Sequence, residues 1–208
     1  DNTVENSNGG GIFVKGGTFT MHGGSIRNNK APNGSGGAIS VENGKISTFG
    51  GEMTENSAIN GGAIHINGST KADIQNLKAN ANIANTMGGA IFTETSGIVE
   101  IRDIELWKNK ASLGGGIYIK FADDNIYAKI YNADIQNNSA TRNGGGIYFN
   151  GNGKSNPSTD IYDSNICNNS SASDGGGIFA ARGTMLNLRG GSVSNNTCAA
   201  GGGGGIRA

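Results

Sequence analysis

The chain has 208 residues, of which 38 are Gly and 35% are hydrophobic, and 16 Lys plus Arg balance 16 Asp plus Glu. The balanced charge leaves no field to hold nucleic acid, and no apolar run approaches the roughly 20 residues of a membrane-spanning helix. So much Gly with so few large aliphatic residues would read as disorder in a chain without a period.

This chain has one. Gly-Gly-(Gly/Ala)-Ile occurs eight times, ending at Ile12, Ile39, Ile64, Ile91, Ile117, Ile147, Ile178 and Ile206, at spacings of 27, 25, 27, 26, 30, 31 and 28 residues. A unit of this size cannot bury its own apolar face, so successive units stack and share one core. Within a unit, a first strand is predicted at the motif Ile, with pairs such as Ile39/Val41, Ile64/Ile66 and Ile117/Ile119 facing inward around one outward residue. A second strand is marked by alternating apolar residues that lie ten and eight positions before a recurrent Asn: Phe19 and Met21, Val99 and Ile101, Leu186 and Leu188. An aliphatic residue then precedes that Asn by three: Ile26/Asn29, Met53/Asn56, Ala79/Asn82, Leu106/Asn109, Ile135/Asn138, Ile166/Asn169 and Val193/Asn196. Thr3-Val-Glu-Asn6-Ser7 matches Met53-Thr-Glu-Asn56-Ser57, so the chain is expected to open inside a repeat and to be one segment, residues 1–208, of a longer repeat protein.

Helices are excluded because Gly recurs in pairs and triples in every unit, at about 1 kcal/mol each relative to Ala. The expected fold is all-β: a right-handed parallel β-helix of about seven coils, two or three short strands per coil, the hand following that of parallel crossovers. The seven Asn are expected to form a structural ladder, each at a corner in left-handed backbone angles, with stacked amides bonding along the axis.

Gly-Gly-Ala-Ile at 36–39, 61–64 and 88–91, together with the hydrophobic-x-x-Asn tetrapeptides, resembles the repeats of the chlamydial polymorphic outer-membrane proteins. The resemblance spans nearly the whole chain, although that family favours Phe where this one has Ile, Met, Ala, Leu or Val. It implies a β-helical surface protein that acts in adhesion, and it implies no catalytic residues and no cofactor.

Several features are candidates for function. The residue after each motif reads Phe13, Ser40, His65, Phe92, Tyr118, Tyr148, Phe179 and Arg207. The aromatic members Phe13, Phe92, Tyr118, Tyr148 and Phe179 either stack on one another, at about 0.2–1 kcal/mol per pair, or present rings to a sugar or partner protein, or pack laterally in a fibre. Longer connections at 121–126 and 150–158 suit recognition, and Asp123 and Asp124 offer oxygen ligands to calcium, a solvated loop being the simpler reading. Glu100, Asp103, Glu105, Asp134, Asp160 and Asp163 cluster outward, as a polysaccharide hydrolase would need, yet Lys129 falls between Glu100 and Asp160 in the same column, which reads as an alternating charge ladder.

Cys167 and Cys198 flank one corner on adjacent coils and could form a disulfide, consistent with secretion. Glycosylation sequons stand at Asn33, Asn67, Asn137, Asn168, Asn169 and Asn195, and Asn137, Asn168 and Asn195 share the position before the ladder Asn. The residues together point to a non-catalytic extracellular or cell-surface protein with an adhesive or structural role. The alternatives are a filament protomer and a polysaccharide-degrading enzyme. Expected partners are further repeats or other copies end to end, and a host or matrix protein or glycan. No nucleic acid, no membrane span and no metal are expected.

Overall fold

The computed structural model describes residues 1–68, 71–122, 127–151 and 157–208. Among them there is no helix, and the strands form three parallel sheets that run the length of a β-solenoid.

Sheet one holds the strands that begin at the motif Ile, from Ile12–Lys15 through Ile117–Phe121 to Ile206–Arg207, stacked in chain order. Its register aligns every motif: Ile12 faces Ile39, Ile39 faces Ile64, and so on to Ile178 and Ile206. Sheet two carries two strand segments per coil, for example Ile98–Arg102 and Glu105–Trp107, which merge into single bent strands at Ser158–Cys167 and Met185–Ser194. Sheet three holds the short strands after the recurrent Asn, from Lys30–Ser35 to Thr197–Cys198. An early coil therefore has four strand segments, against the two or three expected: besides the strands at the motif Ile and at ten to eight positions before the Asn, one holds the aliphatic residue three before the Asn and one follows the Asn.

The bend between the two sheet-two segments and the other corners are made by left-handed residues. At the sheet-two bend these are Asn76, Asp103, Asn132 and Asp163, with φ between 44° and 54°. The corner beside the ladder is made by the residue before the recurrent Asn: Asn28, Glu55, Ala81, Lys108, Asn137, Asn168 and Asn195, with φ between 53° and 58°. This corrects the expectation that the ladder Asn itself is left-handed. Glu, Ala and Lys are poor choices for that conformation, so coil closure imposes it on them.

The motif glycines have separable jobs. The first is left-handed in all eight copies, with φ between 58° and 74°, a region that Gly enters without a Cβ penalty. The second lies so close to the next coil that a Cβ on Gly115 would stand 2.3 Å from the Gly145 carbonyl oxygen. The third abuts the ladder amide: a Cβ on Gly116 would stand 2.8 Å from the Gly146 carbonyl oxygen and 3.4 Å from Asn138 Nδ2, less tight than at Gly115, and Ala stands at the same position at 38, 63 and 90.

The core is a set of inward columns, all buried: Ile39, Ile64, Ile91, Ile117, Ile147 and Ile178 in one, Ile74, Ile101, Ile130 and Ile161 in another, Met53, Ala79, Leu106, Ile135 and Ile166 in a third. Phe121 and Phe149, fully enclosed, stack inside with centroids 6.4 Å apart. At roughly 25 cal/mol per Å2 of apolar surface removed from water, this column packing supplies the main stabilisation that each coil lacks alone.

Candidate functional site

The interior ladder is the most ordered arrangement of polar groups. Each Asn donates one Nδ2 proton to Oδ1 of the next coil's Asn at 2.8–3.1 Å, and its backbone N–H donates to the same Oδ1 at 2.9–3.0 Å. The second Nδ2 proton goes the other way, to the carbonyl three residues before the previous Asn: Asn109 Nδ2 donates to Ala79 O at 3.0 Å and Asn138 Nδ2 to Leu106 O at 3.0 Å. An interior Asn thus uses both amide protons and accepts twice, tying three coils together. The hydrophobic-x-x-Asn spacing follows, since the same aliphatic residue fills the core with its side chain and receives the amide with its carbonyl.

The ladder has one rung more than the seven expected, and the match of residues 3–7 with 53–57 does not mark it. Asn2, not Asn6, continues the ladder, donating from N and Nδ2 to Asn29 Oδ1 at 3.0 and 2.8 Å, while Asn6 lies against Asn33. Asn2 stands 27 residues before Asn29, in period, but too few residues precede it to show the aliphatic marker.

The aromatic column of sheet one stacks on itself. His65 and Phe92 are 5.4 Å apart and 1° from parallel, Phe92 and Tyr118 are 5.4 Å apart, Tyr118 and Tyr148 4.8 Å, and Tyr148 and Phe179 4.9 Å. Phe92 and Tyr118 are each only 3% exposed, so neither offers a free ring face to a ligand. The first motif glycine doubles back over the column: a Cβ on Gly114 or Gly144 would lie 3.1 or 3.0 Å from the Cβ of Tyr118 or Tyr148. Tyr148 and Phe179 remain half-buried, and Phe13, separated from the stack by Ser40, is 43% exposed. Burial pushes the Tyr118 phenol up to about 12, although Asn150 Nδ2 donates to its oxygen at 2.8 Å.

Of the carboxylates expected on the outer face of sheet two, Glu105 pairs with Lys78 at 3.1 Å, and Glu100 and Asp160 are paired as well. Glu100 bonds Lys71 at 3.2 Å and Arg102 at 3.0 Å, Asp160 accepts from Arg189 at 2.8 Å, and Lys129 stands in register between Glu100 and Asp160. Tyr131 and Tyr162 stack 4.7 Å apart at 9°, with Arg102 over the one ring and Arg189 over the other. The Arg189 guanidinium holds the Asp160 carboxyl below its ordinary range, the opposite of what a general acid requires. Asp103 is a bend residue that accepts from Asn132 Nδ2 at 2.8 Å. Asp163 is the equivalent bend residue sixty positions of chain later in the same column of sheet two.

The remaining candidates are dispersed. Cys167 and Cys198 are free thiols. Cys167 pairs with Gln136 and Ser194 in sheet two, whereas Cys198 pairs with Ser171 in sheet three, in the column of core-facing Ala111 and Ala140. The two residues that the sequence offered as a possible disulfide thus stand on different sheets, on either side of the corner. Asn137, Asn168 and Asn195 are exposed corner residues, whereas Asn169 is enclosed in the ladder. Asp123 and Asp124 lie outside the described residues. Among the described residues no group of three or more His, Cys, Asp or Glu is placed to hold a metal ion, and no helix is long and apolar enough to cross a membrane.

No curated protein matches the chain, and no solved structure does. Residues 163–181 match the family model described as the Chlamydia polymorphic membrane protein (Chlamydia_PMP) repeat. That stretch runs from the bend residue Asp163 through Ile166 and Asn169 to the motif Gly175–Ile178, so it holds one copy of each signature. The chain is a β-solenoid repeat protein similar there to a Chlamydia polymorphic membrane protein repeat, a similarity that suggests a surface-associated β-helical protein.

Proposed function

We propose that the chain works outside the cell or on its surface as a non-catalytic β-helical rod that presents variable side chains for adhesion. One observation carries this reading: the inward columns stay largely apolar from coil to coil, while outward columns change in charge and chemistry, as in the series Ser47, Asp73, Glu100, Lys129, Asp160 and Asn187. Stacked coils supply an extended scaffold on which such columns become a recognition surface. The family of the matched repeat supports a surface location. The pairing of Glu100 and Asp160 with arginines weighs against the polysaccharide-enzyme reading.

The test is attachment of beads coated with the purified chain to cultured epithelial cells, competed by free chain. Saturable attachment that falls when the outward sheet-two residues Lys129, Tyr131, Asp160 and Tyr162 are exchanged for Ser is the expected result. Attachment no better than that of uncoated beads contradicts the adhesive role. Regular fibres of the protein on native cells, seen by electron microscopy, favour the filament protomer instead.

A further inference from the structure

His65 is the imidazole of the sheet-one column, the member that gains a positive charge in acid, and it is 6% exposed. Its Nδ1 is hydrogen-bonded to Ser40 Oγ at 2.8 Å, and its ring lies parallel to Phe92. Glu42, on the strand Ile39–Glu42, and Glu94, on Ile91–Thr95, are the charged groups near it. Both are already engaged: Asn8 Nδ2 donates to Glu42 at 2.6 Å, and Lys120 Nζ to Glu94 at 2.6 Å. An imidazolium here would stand between a hydroxyl and a phenyl ring, almost wholly out of contact with solvent, and the nearby carboxylates offset that burial only in part.

We propose that the Ser40–His65–Phe92 stack is an acid-sensitive joint, at which protonation of His65 opens sheet one across three adjacent coils while the asparagine ladder holds. Burial pushes His65 down to about 4, against the opposing pull of Glu42 and Glu94. A base whose pKa is lower when enclosed is neutral in the closed state, so the joint is closed above the ordinary histidine range. The opened ring takes the proton first as pH falls, and closure weakens from about pH 6.5 down to about 4.

Hydrogen exchange of the full chain, corrected for the intrinsic pH dependence, tests this. Between pH 7.5 and 4.5 the opening constant of Ile39–Glu42, Ile64–Asn67 and Ile91–Thr95 is expected to rise roughly 50-fold relative to Ile147–Asn150. In H65F, which keeps a stacked ring and removes the titration, the ratio stays flat. An unchanged ratio in the native chain, or the same rise in H65F, overturns the proposal. Should H65F fail to fold, the His65 ring resonance of the native chain decides: a midpoint below about pH 5 upholds the joint, and an ordinary midpoint near 6.5 overturns it.

Discussion

Two columns run side by side along this solenoid and obey different rules. The ladder inside the coil is Asn at every rung from Asn2 to Asn196, whereas the column outside sheet one accepts Phe, Ser, His, Tyr or Arg. Enclosed hydrogen bonding explains the first. Only a primary amide of this length supplies two donors and a twice-used acceptor, and any other side chain strands partners that no water reaches. Stacking explains the second, since a planar ring of several kinds gains about the same contact from the ring above. Identity is demanded where polar groups are enclosed, and only shape where flat rings meet.

The strongest way to break this contrast is N109L. It removes the acceptor of Asn82 N and Nδ2, the donor to Ala79 O and the donor to Asn138 Oδ1, all buried. A loss of about 3–5 kcal/mol is expected in urea unfolding. Next comes the motif glycine: G115A drives a Cβ into the Gly145 carbonyl and should cost about 2–3 kcal/mol, while G116A, beside the ladder amide, should stay within about 1 kcal/mol because Ala stands there in three other coils.

The outer columns give smaller effects. Y148L breaks two ring contacts, with Tyr118 and Phe179, and should cost about 0.5–1.5 kcal/mol in thermal unfolding. D160N removes a pair with the exposed Arg189 and should give the smallest loss of the series, one that shrinks further as salt is raised. An outer substitution as damaging as N109L would erase the distinction between the columns.

Most of the fold was legible because both of its constraints leave periodic marks. The Gly-Gly-x-Ile motif recorded a left-handed turn and a close backbone approach, and hydrophobic-x-x-Asn recorded a core residue and an amide rung. What stayed hidden lacked a residue-type mark. The left-handed position before the rung holds Asn28 but also Glu55, Ala81 and Lys108, so geometry overrode propensity there. Asn2 was obscured by the missing aliphatic partner. The candidate site was less legible still, because outward position does not fix exposure: Phe92 and Tyr118 face away from the core and are nonetheless covered, by each other's rings and by the returning glycine backbone.

The ladder is the central claim, and its most direct test is hydrogen exchange of the asparagine side-chain amides by NMR. Both Nδ2 protons of Asn56, Asn82, Asn109, Asn138 and Asn169 should persist as long as the strand backbone amides, while those of exposed Asn33 and Asn137 exchange at once. Ladder amides that exchange as fast as the exposed ones would show that the rungs are not enclosed and contradict the account.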